Sequence, residues 1–517
     1  MDNARFQENR SAIIILSLML GAFLYAWFFM LPQGIGLDES QSMWQASHTV
    51  GGLFYVVAQD VHVPLYHLLL HLWQIAFGNS VRAARLLSLL IYLPIIPLVY
   101  FLGKISFKKD LVGLFAAVLF TISPFANWYG STIRMYGLLT LITVINQIFF
   151  VLIFQSREKA RPAYWVGYFV SVLFGVYSHY FFFFIILAEI VFFFAYRPQF
   201  PKGALSRFLL IGIIVLILFS PWLMYVRSLG KFGANTSPKL SPPTTVDIFN
   251  TFSNFLFGFQ TDPVNTAILS SWPLITLILF LALQKGTRVM PETVFFLVTA
   301  LVPIAAAAAL SHVITPFYLS RYFIGLMPSF CIAASWFFTL YPRTLSRVAR
   351  TALVGAMAFS LRVQTASPAS PIKEDYKDVA AYIETYATAR DVIAVSAPFT
   401  IYPVEYYYRG PATLTTLPVW NRLEFGPIPT FSMGRLESDT ASFSRYENLW
   451  LILSYDQGYE QQMRIYLDTH YERVSLAHFS PGLDVYEYRL RYNANATLAN
   501  ALTIAGSLPA SSTLPAK

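Results

Sequence analysis

The sequence predicts a polytopic, all-α membrane protein with about eleven transmembrane helices, followed by a small α/β domain near the C-terminus. Three observations predict it. Of 517 residues, 56% are hydrophobic and only 12% are charged, about half the ~25% charged share of a globular domain. Apolar residues gather in runs of about 20, the length that crosses a bilayer core of ~30 Å. Beyond about residue 366 these runs give way to short strand-like and helix-like segments in alternation. The composition excludes a disordered chain. It also excludes a disulfide scaffold, because Cys331 is the only cysteine.

The first apolar run, Ser11 to Leu31, is too long for the core of a signal peptide and lacks a small-x-small cleavage site. It reads as an uncleaved first span. Further spans are expected at about 82–103, 111–129, 135–155, 163–178, 180–196, 208–226, 265–284, 292–311, 322–341 and 349–365. The loops fix an orientation. Sixteen basic residues fall on one side: Arg5, Arg10, Lys104, Lys108, Lys109, Arg157, Lys159, Arg161, Arg197, Lys202, Arg207, Lys285, Arg288, Arg343, Arg347 and Arg350. Eight fall on the other: Arg82, Arg85, Arg134, Arg227, Lys231, Lys239, Arg321 and Arg362. The richer side is expected to be cytoplasmic. The N-terminus is then inside, and an odd span count puts the C-terminal domain outside the cytoplasm.

Between the first two spans, Pro64 to Phe77 is apolar but only 14 residues long, too short to cross. It reads as a helix lying at the outer interface, preceded by a polar helix near 39–48. Residues 32–81 thus form a structured first outer loop within a first region, 1–365, that is largely membrane-embedded. In the C-terminal domain, 366–490, helices are expected at Lys373–Thr388, Tyr402–Tyr408 and Tyr459–Tyr471. Strands are expected at Asp391–Ala397, Leu449–Ser454, 473–478 and 483–489. This domain has 16 acidic against 10 basic residues, whereas residues 1–365 have 24 basic against 11 acidic. The tail, 491–517, is rich in Ala, Ser, Thr and Asn and reads as disordered. Because the basic residues sit between apolar spans, they mark topology and not a nucleic-acid partner.

The candidate chemistry lies at the outer ends of the spans. Asp38 and Glu39 follow the first span directly. They read as a general base or electrostatic stabiliser at the membrane surface, or as carboxylates favoured at a helix N-terminus. Asp60 and His62 precede the helix-starting Pro64, and His67 and His71 lie four apart beyond it. Asp60, His62, His67 and His71 leave a metal site open, with interfacial packing as the alternative for the two later histidines. Arg134 with Tyr136, Arg321 with Tyr322, and the pair Arg82 and Arg85 offer guanidinium forks suited to phosphate. Snorkelling toward lipid headgroups is the structural alternative. His179 sits at a turn between two Phe-rich spans, as an active-site group or a helix cap. Glu189 stands well inside the sixth span and is flagged because intramembrane acids are rare. These groups are far apart in sequence, yet nearly all map to one membrane face, which favours chemistry on a lipid-borne substrate over transport.

At these residues the sequence resembles the GT-C membrane glycosyltransferases, in the bacterial branch related to protein O-mannosyltransferases and aminoarabinose transferases (the RgtA/B/C/D-like group). Asp38-Glu39 matches the first-loop acidic pair. Asp60-Val-His62-Val-Pro64-Leu-Tyr66-His-Leu-Leu-Leu-His-Leu-Trp73 resembles the D-x-H-P-P-L-Y-Y-L-L-L-H-L-W stretch. Arg134-Met-Tyr136, Ser178-His179-Tyr180 and Arg321-Tyr322 match further elements in order. The resemblance covers roughly 10–365 and, more loosely, 371–490. It implies a polyprenyl-phosphate-linked sugar donor and an inverting transfer to a lipid, glycan or protein acceptor on the non-cytoplasmic face of the cell membrane. Asp38 would be the base, with Asp60, Glu39 and His62 lining the site. Arg134 or Arg321 would hold the donor phosphate, with Tyr136, His179 and Tyr322 beside them. Two departures stand out. Val63 replaces the first of the paired prolines, and Ser131-Thr132-Ile133 replaces an acid-bearing segment before Arg134. The second departure puts a divalent metal in doubt without excluding it; no other cofactor is expected. A non-catalytic transporter or flippase of lipid-linked sugars is the alternative, and an enzyme that transfers whole lipid-linked glycans, like O-antigen ligases, is a third reading.

Overall fold

The computed structural model describes residues 2–230, 240–259, 290–366, 374–423 and 428–490. The described residues fall into two compact units. The first holds 2–33, 42–230, 240–259 and 290–366, and the second holds 34–41, 374–423 and 428–490. The span expected at 265–284 and the tail at 491–517 lie outside the described residues.

The first unit is helical. Helix α1 (Asp2–Tyr25) continues through a π turn (Ala26–Met30) to complete the first span. Then come α2 (Leu37–Ala46), α3 (Val50–Ala58) and α4 (Pro64–Phe77). Helix α4 begins and ends where the sequence places it. Pro64 occupies its first turn, where a missing N–H is harmless, and Gly78 ends it at φ +83°. At 14 residues it is about 21 Å long. It buries Tyr66, His67 and Leu70 and exposes Leu72, Ile75 and Phe77, the pattern of a helix lying along a bilayer surface.

The spans follow as α5 (Val81–Tyr92) with α6 (Ile95–Phe107), α7 (Asp110–Ile122), α8 (Pro124–Ser131), α9 (Tyr136–Gln155), α10 (Pro162–Ser178), α11 (Phe182–Ala195) and α12 (Ala204–Leu229). Helices α13 (Thr245–Phe257), α14 (Pro291–Val313), α15 (Met327–Phe337) and α16 (Arg343–Ala366) complete the unit, with a 3₁₀ segment, Ser320–Leu326, before α15. Among the described residues, six helical segments are long and apolar enough to cross a membrane, and a seventh if the bent pair α7 and α8 is one span. The single span expected at 111–129 is therefore broken. Ser123 Oγ accepts the Ala126 N–H and starts a new helix at Pro124, bent by 66°. Helix α16 covers 349–365 but begins earlier, at Arg343, and carries Arg343, Arg347, Arg350 and Arg362.

Helices α6 and α7 approach closely because Gly103 and Gly113 face each other; a Cβ added at Gly103 lies 2.9 Å from the Gly113 Cα. Small residues let helix backbones approach in this way. The most enclosed long helix is α9, which carries Asn146 and Gln147 in the buried interior. Large apolar side chains on the outer faces of α1 and α12, such as Leu16, Leu20, Leu209 and Ile217, are exposed, as lipid-facing positions are.

The second unit is an α/β domain. In order it runs α17 (Tyr376–Tyr386), β1 (Val392–Ser396), α18 (Ile401–Tyr407), β2 (Thr413–Thr416), α19 (Met433–Ser442), β3 (Asn448–Ser454), α20 (Glu460–His470), β4 (Glu472–Ser480) and β5 (Leu483–Arg489). The sheet order is β2-β1-β3-β5-β4. Strands β1, β2 and β3 are parallel, and β5 pairs antiparallel with β3 and β4. Strand β1 is buried throughout, as a central parallel strand between helices should be. Strand β2 and helix α19 are absent from the sequence reading, which otherwise found this unit's elements.

Candidate active site

Helix α2 carries the acidic pair. Glu39 Oε2 accepts the Gly36 N–H at 2.9 Å, and the Ser40 hydroxyl donates to the Leu37 carbonyl at 2.7 Å. The capping bond is thus made by Glu39, one half of a capping box. Glu39 is buried, while Asp38 beside it is half-exposed. Asp38, Ser42 and Gln45 recur at intervals of four and three, so they share one face of the helix.

The loop between α3 and α4 presents Asp60 and His62, both buried. Asp60 Oδ1 accepts the Val61 N–H at 2.7 Å, and Oδ2 accepts Gln45 Nε2 at 2.9 Å. Arg134 stands between α8 and α9, where the α7–α8–α9 chain turns. It donates from Nη2 to His62 Nε2 at 2.7 Å and from Nη1 to Ser42 Oγ at 3.1 Å. A guanidinium can only donate, so His62 Nε2 carries no proton. The imidazole is neutral, and its 3.6 Å approach to Asp60 Oδ2 is not an ion pair.

Two more histidines belong to this region. His67, on α4, is fully buried, with its ring stacked on His62 at 5.7 Å. His179, in the turn between α10 and α11, accepts the Phe181 N–H at Nδ1, which places its proton on Nε2. Its ring lies 6.4 Å from Tyr136 and 5.2 Å from Tyr322. Burial lowers all three imidazoles, His62 well below its ordinary value and His67 and His179 to about 3. The nearby Arg134 charge acts in the same direction on each, and Arg321 adds to it at His62 and His179. The result is a fixed positive charge at Arg134 beside neutral imidazoles, with the Asp60 carboxylate 3.6 Å from His62 Nε2.

The remaining candidates make the following contacts. Arg85, buried, donates from Nη1 to the carbonyls of Met30 and Gln33 at 3.0 and 2.5 Å. It ties the end of the first span to α5. His71 Nδ1 lies 2.8 Å from the Ala46 carbonyl, which joins α4 to the end of α2. Arg321 sits over the Tyr322 ring at 5.8 Å. Glu189 accepts the Tyr168 hydroxyl at 2.8 Å inside the bundle. Among the described residues no three His, Cys, Asp or Glu side chains converge as metal ligands. His71 Nδ1 meets a carbonyl, and Arg134 occupies the His62 Nε2 lone pair, so these two nitrogens are already engaged. Ser42 and Gln45, both buried, were missed by the sequence reading. Their spacing from Asp38 was the available signal.

Residues 61–225, which contain His62, Arg134, Tyr136 and His179, match the family model of dolichyl-phosphate-mannose-protein mannosyltransferases. Among solved structures, ArnT from Cupriavidus metallidurans bound to undecaprenyl phosphate superposes with a TM-score of 0.60 and 14% identity, over 93% of this chain and 98% of that one. The same protein in its apo state gives 0.59 and 14%, over 91% and 97%. An Archaeoglobus fulgidus oligosaccharyltransferase tethered to an acceptor peptide gives 0.50 and 11%, over 95% of this chain and 75% of that one. No curated protein matches in sequence. The chain therefore shares the multi-pass membrane fold of these solved transferases, and about a third of it resembles a mannosyltransferase family model. The matched part holds His62, Arg134, Tyr136 and His179, whereas Asp38, Ser42, Gln45 and Asp60 precede it.

Proposed function

We propose that the protein transfers a sugar from a polyprenyl phosphate to a hydroxyl acceptor on the extracytoplasmic face of the membrane, with inversion at the anomeric carbon. The observation that carries this is Arg134, a buried guanidinium held by Ser42 and His62 and surrounded by uncharged imidazoles. Such a fork is built for phosphate, and the ArnT structure of the same fold is described as bound to undecaprenyl phosphate.

In this reading Asp38 removes the acceptor hydroxyl proton. The oxygen attacks the anomeric carbon from the face opposite the phosphate. A glycosidic bond forms, the bond to the phosphate oxygen breaks, and its electron pair leaves with the polyprenyl phosphate. Charge grows on the phosphate as that bond lengthens, and Arg134, with Arg321 near it, stabilises the growing charge. The neutral histidines donate to phosphate or sugar oxygens without competing for the proton. The N-terminus lies in the cytoplasm and the α/β unit outside it, so the acceptor, whether lipid, glycan or protein, meets the donor beyond the membrane.

Native mass spectrometry of the purified protein with added polyprenyl-phosphate sugar tests the donor class. The wild type should retain the lipid, and Arg134→Ala or Arg321→Ala should lose it. A wild type that retains no such lipid contradicts the proposal.

A further inference from the structure

We propose that Gln45 is a positioning residue that holds the Asp60 carboxylate and, together with Ser42, locks Asp60 and Arg134 to a single helix. This rests on the transferase reading above.

Five buried side chains gather beside α2, two of them on that helix. Gln45 Nε2 donates to Asp60 Oδ2 at 2.9 Å. Asp60 Oδ2 lies 3.6 Å from His62 Nε2. His62 Nε2 accepts from Arg134 Nη2 at 2.7 Å, and Arg134 Nη1 donates to Ser42 Oγ at 3.1 Å. Ser42 and Gln45 are three apart on one helical face, about 4.5 Å along the axis. All five are at least 96% buried. Asp60 and Arg134 are thereby both tied to one rigid element, through Gln45 and Ser42.

The donor at Asp60 Oδ2 has to be neutral. A lysine in place of Gln45 would pair with the carboxylate and consume its charge. His62 cannot serve, because its Nε2 already accepts from Arg134. The other carboxylate oxygen is held by the backbone N–H of Val61. Gln45 therefore supplies a neutral side-chain bond that restrains the rotation of the Asp60 carboxyl group. Its own Oε1 is buried without a hydrogen-bond partner. That oxygen costs stability where it stands, as expected of a residue kept for orientation.

The test uses the full-length protein with Gln45→Leu and Gln45→Glu, assayed with a synthetic polyprenyl-phosphate sugar across pH, with thermal unfolding alongside. Gln45→Leu removes the donor and should lower kcat by about 10- to 100-fold. Its KM for the donor should stay near the wild-type value, since Arg134 is untouched. Gln45→Glu sets a second carboxylate against Asp60. Its deficit should be large at neutral pH and shrink as the pH falls, when the two acids share a proton. Its unfolding midpoint relative to wild type should recover in the same direction, a readout that needs no activity. Wild-type kcat in both variants, or a Gln45→Glu deficit that is constant across pH, overturns the proposal. A wild type that transfers nothing overturns the reaction itself, and the unfolding series still decides the Gln45–Asp60 contact.

Discussion

Lowering the pH should loosen the site well before it disturbs an ordinary protein. His67 and His179 are buried and neutral, with pKa values lowered to about 3 chiefly by burial and secondly by Arg134. In the unfolded chain they titrate near 6.5. Between those values the unfolded state binds protons that the folded state refuses. The stabilisation is therefore present above about pH 6.5 and is lost as the pH falls toward 3. pH 5 lies about 1.5 units below the unfolded pKa, worth about 2 kcal/mol for each imidazole, so the two together cost about 4 kcal/mol relative to pH 7. His62 acts in the same direction. The assay is chemical or thermal unfolding in detergent at pH 7 and pH 5 for the wild type and His67→Phe, which keeps a ring but removes the titration. The variant should lose about 2 kcal/mol less than the wild type over that interval. Equal losses in the two proteins would refute the reasoning.

Other substitutions test separate links. Arg134→Lys keeps the charge but cannot span Ser42 and His62 as the fork does; transfer at low donor concentration should fall about 100-fold, measured as kcat/KM. Gly113→Ala sets a methyl against the Tyr100 carbonyl oxygen and should lower stability by ~3 kcal/mol, read as a fall in Tm. In the α/β unit, buried Asp391 accepts from the Thr388 N–H and hydroxyl and from the Asn448 N–H and side-chain amide. Asp391→Ala should cost ~2–4 kcal/mol and accelerate amide exchange in β1 and β3.

Much of the fold was legible because its boundaries are written in unambiguous residues. Pro64 and Gly78 delimit α4 as the sequence suggests, and β1, β3 and β5 follow their apolar runs. The missed elements lack such marks. Helix α3 is a nine-residue apolar stretch with two glycines near its start, β2 has four residues, and α19 is polar. The break at Ser123 was hidden because a Ser-Pro pair within an apolar run is compatible with either a kinked span or a new helix. In the site, ionisable residues announced themselves by type and position. Arg134, His62 and Asp60 were found this way, and the structure joins them through hydrogen bonds and close approach. Gln45 and Ser42 did not, because their helical spacing from Asp38 is their one mark and a neutral polar type gives it no chemical meaning until the partners are known. Arg85 shows the converse: by type it matched a phosphate ligand, yet its guanidinium is engaged by the carbonyls of Met30 and Gln33.

The most direct test of a sugar transfer driven by Asp38 is a paired measurement on Asp38→Asn. The purified variant and the wild type are given the same polyprenyl-phosphate sugar and a hydroxyl acceptor, and release of polyprenyl phosphate and retention of donor are both followed. The account predicts that the wild type releases polyprenyl phosphate, whereas Asp38→Asn binds donor as well as the wild type and loses turnover by about 1,000-fold or more. Undiminished release by the variant would contradict it, as would movement of the intact lipid-linked sugar across vesicles with no cleavage by either protein.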